Sequence, residues 1–250
     1  MSKQNTILLA LATLSICGVI LALSIRHNTS PTVTIWSWDY PNDLRFIKAE
    51  DHINVAYYAG TIYMRQGRCY FRPRTKPLKI NAKVNKYPAI RIESDGVPAS
   101  TKAVAALIRT VLKEQGAKEV QLDFDATDSE LSFYQDLLAT LPSALEAGTT
   151  INITALTSWY TIDKTLTNLK ANQKTAMCFS LGGSARESLK ALAKLKQKPD
   201  SIGVSVYEHQ TNKYLKSLGI LEQASSIYLY SAVPWQQQTL QAARAEVLCR

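Results

Sequence analysis

Val120-Gln121-Leu122-Asp123-Phe124-Asp125-Ala126-Thr127, followed at once by Asp128-Ser129-Glu130, is the stretch from which the fold of this chain is read. Apolar and polar residues alternate, so Val120, Leu122 and Phe124 share one face of a strand while Gln121, Asp123 and Asp125 share the other. An amide and two carboxyls on one face are costly to bury, because an unpaired buried carboxylate forfeits several kcal/mol of hydration. The acids are therefore either a satisfied network or a site. Thr127 and Glu130 form a T-x-x-E capping box, and Leu131, Tyr134, Leu138, Leu141 and Leu145 then recur at helical spacing. A strand feeds a helix, with acids at the strand's C-terminal end, where α/β sheets and barrels place ligands and chemistry.

The same alternation of strand and helix extends outward in both directions. Strand-like runs are 34–38, 53–62, 89–93, 120–125, 151–157, 176–181, 202–206 and 227–230. Helical periodicity fills the gaps at 43–50, 101–115 (ending at Gly116), 128–145, 162–170, 185–196, 212–223 and 236–248. The gap after the second strand has no helix. Eight strands with intervening helices predict an α/β fold, a single (β/α)8 TIM-type barrel over residues 33–250, and right-handed crossovers favour its closure. No repeat, low-complexity tract or internal linker divides that span.

The 250 residues, 46% hydrophobic and 20% charged, leave ample chain for a core. Ile7 to Ile25 is an uncharged apolar run, preceded by Lys3 and followed by Arg26 and His27. It is long enough to approach a ~30 Å hydrocarbon layer, so residues 1–25 read as a signal anchor, or as a signal peptide cut after Ala22-Leu23-Ser24. Residues 26–32 are a polar linker. Either reading puts the barrel outside the cytoplasm, periplasmic or at the cell surface: inner-membrane anchored in the first case, secreted in the second. Cys69, Cys178 and Cys249 follow this segment, an odd number that permits at most one intramolecular bridge. The three histidines are scattered and no C-x-x-C spacing occurs, so neither a metal nor a cofactor is expected, and a Ser-His-Asp mechanism has little to build on.

With each strand's apolar face turned to the helices, the third strand offers Arg91 and Glu93 inward, the fourth Gln121, Asp123 and Asp125, the fifth Asn152 and Thr154, and the seventh Ser205 and Tyr207. Barrel cores are ordinarily branched aliphatics, so this polar interior needs a reason. An ion pair between Arg91 and Asp123 on neighbouring strands supplies part of one. Asp125 and Glu208 lie nearer the strand tips. Trp36, Trp38, Tyr58, Trp159, Tyr207, Tyr230 and Trp235 fall at or near C-terminal strand ends, and rings beside carboxylates suit sugars, whose apolar faces stack while their hydroxyls hydrogen-bond. Gly182-Gly183-Ser184 reads as a turn whose Ser184 caps a helix with Glu187, or as an anion-binding loop.

Ile35-Trp36-Ser37-Trp38, Arg72-Pro73-Arg74 with Pro77-Leu78, Arg91-Ile92-Glu93, Gln121 through Thr127, and Ile153-Thr154-Ala155-Leu156-Thr157-Ser158-Trp159 together resemble the bacterial family catalogued as domain of unknown function 3142. The resemblance spans nearly the whole exported part and implies a barrel related to glycoside hydrolases, without supplying an activity. A more distant likeness is to chitinase-like hydrolases, whose fourth strand reads D-x-x-D-x-D-x-E with the last Glu as general acid. Asp123 and Asp125 match its middle acids, while Val120 and Thr127 replace the first Asp and the Glu. Barrels with an acid on strand four and a nucleophile on strand seven match by position only, through Asp125 and Glu208.

The expectation is an exported glycoside hydrolase-like barrel acting on or binding a polysaccharide, with Asp125 as general acid/base and Glu208 as its partner carboxylate. Trp36, Trp38, Glu93, Gln121, Asp123, Thr154, Trp159, Tyr207 and Tyr230 are the candidate substrate-binding residues. The alternative is a non-catalytic carbohydrate-binding or structural envelope protein. From Ile62 through Lys86 stand eight basic residues and no acid; Thr61–Met64 and Cys69–Phe71 flank Gln66-Gly67 as a β-hairpin in place of the missing helix. Its Arg65, Arg68, Arg72 and Arg74 are candidates for an anionic surface, lipid or acidic glycan, at a net charge of +9. Nucleic acid is not expected, since no recognised module for it is present.

Overall fold

In the computed structural model, residues 30–248 apart from 162–165 and 167 are described. The apolar run 7–25, most of the linker, much of the expected helix 162–170 and Cys249 lie outside them. Eight parallel strands form the barrel: β1 (Thr32–Ser37), β2 (Ile53–Arg65), β3 (Lys86–Ser94), β4 (Glu119–Asp123), β5 (Thr150–Leu156), β6 (Gln173–Met177), β7 (Ser201–Ser205) and β8 (Ser226–Tyr230). Each pairs with the next, and β1 closes the ring by pairing Val33–Ser37 with Ile53–Tyr57 of β2 and Thr32–Trp36 with Ser226–Tyr230 of β8. The expected α/β barrel is the observed fold.

Helices α1 (Thr101–Gln115), α2 (Leu131–Ala144), α3 (Thr157–Thr161), α4 (Ala185–Ala193), α5 (His209–Ser217) and α6 (Gln237–Leu248) follow the third to eighth strands. Helix α1 begins where the Ser100 hydroxyl accepts the Ala103 amide and ends at Gly116 in the left-handed region. Between those caps Val104, Ala105, Ile108, Val111 and Leu112 recur at helical spacing and are buried, each large one contributing about 1.5–3 kcal/mol of burial. The Thr127–Glu130 box forms, with the Glu130 carboxylate accepting from both the amide and the hydroxyl of Thr127, and it caps a 3-10 turn that leads into α2. The apolar layer outside the barrel falls into two clusters. One lies between β2–β5 and α1–α3, the other between β1, β6–β8 and α4–α6.

Several elements differ from expectation for local reasons. No α-helix forms over 43–50, only a 3-10 turn at Ala49–Asp51: the Asp43 carboxylate takes the Arg45 amide and guanidinium, a local bond that competes with helix, while Leu44 and Ile47 bury themselves across a single turn. The sixth strand runs 173–177 rather than 176–181, since Ser180 adopts a left-handed φ of 55° that ends extended chain. Helix α5 stops at Ser217 before left-handed Gly219, and only a 3-10 turn follows at Leu221–Gln223. Ser184 makes no helix cap; its hydroxyl donates to the Leu181 carbonyl.

The hairpin after β2 is present. Gln66 and Gly67 have φ of 50° and 74°, the signature of a type I′ loop, and the return strand Arg68–Pro73 pairs antiparallel with Gly60–Arg65. A bulge between Tyr58 and Gly60 shifts the register of β2 against β3. Gly60 lies where the return strand crosses closest: a Cβ there would stand 2.4 Å from both the Arg72 carbonyl oxygen and the Phe71 ring. We expect Gly60→Ala to lower the unfolding free energy by about 1–3 kcal/mol in chemical denaturation, the range for overpacking a closed contact. An unchanged midpoint would show that the return strand does not bear on the bulge.

Candidate functional site

The barrel interior carries polar groups at both ends around a buried cluster of Trp36, Ala56, Tyr87, Ala89, Tyr228 and Tyr230, and the two ends use that polarity differently. At the N-terminal end the groups bond one another: the Tyr87 and Tyr228 hydroxyls are 2.7 Å apart, Tyr228 donates to Gln173 Oε1, Gln173 Nε2 donates to Ser226, and the Thr175 and Ser201 hydroxyls pair. Asn152 belongs to this end and donates to Glu119. This half is a satisfied network.

At the C-terminal end, β3, β4 and β5 supply charge. Asp123 is buried and accepts from the Thr154 hydroxyl at 2.7 Å and from Arg91 Nη1 at 3.3 Å. Arg91 also reaches Glu93 through Nε at 3.2 Å and Asp125 through Nη2 at 3.8 Å, so one guanidinium serves three carboxylates. Partial burial works against its charge, but Asp123, Asp125 and Glu93 more than offset that and raise its pKa. Burial, and then the Asp125 charge, outweigh Thr154 and Arg91 at Asp123, whose carboxyl is pushed up to about 6. Asp125 lies two residues beyond the end of β4 and keeps its side chain 48% exposed, facing the mouth.

Across the mouth, β8, β1 and β2 supply rings. Trp36 is fully buried and stacks on Tyr230 at 5.3 Å; half-buried Trp38 lies 5.2 Å from Trp36 and 6.4 Å from Tyr58. Phe179 extends the wall from the loop after β6, 4.7 Å from Tyr230. The sequence reading missed Phe179, although it shares the inward parity of Thr175 and Met177. It also missed Gly203 of β7, where a Cβ would come 2.9 Å from Tyr230 Cε2, so that only glycine lets the ring lie down. Among the described residues, Trp36 Nε1, both side-chain polar atoms of Gln121 and the Tyr230 and Tyr134 hydroxyls are buried without a protein partner. Burial, with Asp123 and Asp125 next among the causes for Tyr134, raises both tyrosine pKa values well above the ordinary value. Of these, the Tyr134 and Tyr230 hydroxyls lie near enough to Asp123 and Asp125 to feel their charge.

The structure thus brings Arg91, Glu93, Asp123, Asp125 and Thr154 together, and sets Gln121, Trp36, Trp38 and Tyr230 around them. Three expected residues make no bond or ring contact with this group among the described residues. Trp159 is buried outside the barrel, 6.3 Å from Tyr134, because the chain turns into α3 at Thr157 and carries the indole under the helix layer; it is no platform. Tyr207 is 49% exposed on the turn after β7. Glu208 accepts from the Ser180 amide and the Thr211 hydroxyl at 2.9 and 3.2 Å, and no hydrogen bond or ion pair joins it to Asp125 among the described residues. Arg74 is also not part of a free basic surface. Its guanidinium, 10% exposed, donates to the carbonyls of Ser37, Tyr40, Tyr58 and Lys76 and straps the first two strands to the return strand. Cys69 and Cys178 are free thiols, no helix among the described residues is long and apolar enough to cross a membrane, and none of their His, Cys, Asp and Glu groups could hold a metal.

The class of protein so defined is a closed (β/α)8 barrel with carboxylates and rings at the C-terminal ends of its strands. Among solved structures it is similar to a chitinase from Rhizomucor miehei, with a TM-score of 0.55 and 10% identity over 86% of this chain and 100% of that one. It is also similar to a GH113 β-1,4-mannanase, with a TM-score of 0.50 and 6% identity over 88% of this chain and 99% of the other. At such identities the likeness is one of fold. No family model matches the chain, and no curated protein sequence matches it.

The raised Asp123 pKa has a stability consequence. A carboxyl that holds its proton more tightly in the folded state contributes stability below its unfolded pKa near 3.8 and loses it as pH rises through the folded value of about 6. Relative to Asp123→Asn, the wild type should therefore lose about 3 kcal/mol between pH 3.5 and pH 7.5, from a shift of about two units at 1.36 kcal/mol each. Urea denaturation of both proteins across that range checks it; a constant difference would show that Asp123 ionises as it does in the unfolded chain.

Proposed function

We propose that this chain is an exported carbohydrate-active barrel of the glycoside hydrolase type, acting on a polysaccharide at the C-terminal mouth. We further propose that it belongs with the family of domain of unknown function 3142, on the motif residues Trp36, Trp38, Arg91, Glu93 and Gln121 to Thr127, of which Trp36, Trp38, Arg91, Glu93, Asp123 and Asp125 are at this mouth. The observation that carries the reading is the division of the mouth into an aromatic wall and an acid pair, with Trp36, Gln121 and Tyr230 each holding a buried polar atom that no protein group among the described residues meets. A sugar ring offers what such a space lacks: an apolar face for the rings and hydroxyls for the polar atoms. The fold likeness to two glycoside hydrolases supports it. The apolar run Ile7–Ile25 supports a place outside the cytoplasm, with the barrel tethered to a membrane or released.

In this reading Asp125 is the general acid/base, because its carboxyl is the open one of the pair. Asp123, beneath it, is the carboxyl on which burial and its neighbour favour the proton. Glu208 is the partner carboxylate, and its bonds to the Ser180 amide and Thr211 fix its orientation. A second reading, a barrel that binds glycan without cleaving it, is favoured by Thr127. That residue stands where the chitinase pattern has its acid, and its hydroxyl is committed to the Glu130 carboxylate.

Oligosaccharide binding and turnover separate the two. Asp125→Asn should lower kcat by about 10²–10⁴-fold, the usual contribution of a general acid or base, with affinity within a few-fold of wild type. Unchanged turnover would remove Asp125 from the mechanism. Wild-type binding without any cleavage would establish the second reading.

A further inference from the structure

The hairpin that replaces the second helix has two unlike faces. Its cross-strand pairs are Thr61 with Arg72, Tyr63 with Tyr70 and Arg65 with Arg68 on one side, and Ile62 with Phe71 and Met64 with Cys69 on the other. The second set packs on the outer apolar cluster. The first set is a ladder of three arginines and two tyrosines, with the Tyr63 and Tyr70 rings stacked at 5.3 Å and 23°, and Arg65 5.4 Å above the Tyr63 ring.

Register shows where this ladder leads. On its other edge β2 pairs Thr61 with Arg91 and Tyr63 with Glu93, so the ladder continues the inward face of β3. Arg65 Nη2 lies 3.9 Å from Glu93 Oε2, which links it to the cluster around Arg91. The wall of the mouth thus extends without a break onto the hairpin. Arg68 and Arg72 are exposed and make no ion pair among the described residues, and Arg65 stands directly opposite Arg68, an arrangement of like charges that weakens a β-ladder. Glu93 and Asp95, which accepts the Gln66 amide, are the nearby acids, and neither is paired with Arg68 or Arg72.

We propose that this face is the binding wall for the distal part of an acidic polysaccharide, one bearing carboxylate groups such as a uronic-acid chain, whose reacting or bound unit sits in the mouth. The proposal rests on the glycan reading of the mouth and names its substrate class. Arginine forks match carboxylates bidentately, the stacked tyrosines suit a ring face, and their alternation on one flat ladder suits an extended chain of charged rings. An anionic lipid surface would need only the charge. Here the ladder is continuous with the barrel interior, and a membrane does not enter a barrel mouth.

The test uses the full chain and three probes: polygalacturonate, a neutral manno- or chito-oligosaccharide, and phosphatidylglycerol vesicles. Wild type should bind polygalacturonate more tightly than the neutral sugars, with affinity falling as salt rises. Arg68→Gln with Arg72→Gln should weaken polygalacturonate about tenfold or more and flatten the salt dependence, and Tyr70→Ala should weaken it further. Neutral oligosaccharide affinity should stay unchanged in both variants, which also reports that they fold. Equal affinity of wild type and the double variant for polygalacturonate overturns the proposal. So does vesicle binding as strong as polygalacturonate binding and indifferent to Tyr70→Ala, which assigns the face to a lipid surface. Binding of neutral sugars without preference for the acidic one overturns this inference alone; binding of no glycan overturns the reading of the mouth as well.

Discussion

The structure depends on β1 finding a partner on both edges. A parallel sheet of eight strands has two open edges unless its first strand reaches its last, and here five consecutive residues of β1 are matched on each side, by Ile53–Tyr57 and by Ser226–Tyr230. Closure sends every strand's alternate residues into a space no helix can enter, so whatever stands at inward positions must satisfy itself or serve a ligand. The interior at the N-terminal end takes the first course through hydroxyls and amides that bond in pairs. The C-terminal end does not complete it, leaving Gln121, Trp36 and Tyr230 with polar atoms that no protein group among the described residues meets.

The charge arrangement there follows from the same geometry. Arg91 on β3 and Asp123 on β4 are register partners, so their pairing is a property of neighbouring strands at one height. Asp125 lies two residues further on and reaches the same guanidinium from above. One cation shared by three acids cannot neutralise all of them, and the deepest acid has the least water to compensate. For that reason Asp123 holds its proton to about pH 6 despite its ion pair.

What the sequence makes legible is whatever rests on local periodicity. The alternation over Val120 to Asp125 places Gln121 and Asp123 inward, the capping box sets the start of the helical segment, and Gln66-Gly67 specifies the hairpin, because each depends on neighbours along the chain. The Arg91–Asp123 pair is legible through strand order. Trp159 misleads because the strand ends at Leu156 and the following turn of helix carries the indole outward, a change of period no single residue announces. Arg74 reads as one more surface charge, yet its four backbone acceptors come from segments up to 37 positions away, which only the folded chain assembles. The commitment of Glu208 to Ser180 and Thr211 is hidden in the same way, since it depends on a left-handed Ser180 after β6.

The bulge in β2 acts as a parity switch. Below it Tyr58 faces in; above it Thr61 does, and Ile62 and Met64 are sent out to the core. Run as a regular strand with no bulge, the same residues above Tyr58 would exchange sides, driving two aliphatic side chains into the mouth and a tyrosine and an arginine into the oily layer under the helices. Removal of the one extra residue would instead restore regular alternation with Tyr58 and Thr61 both still facing in, so the sides would be kept and only the local bend and twist of the bulge lost.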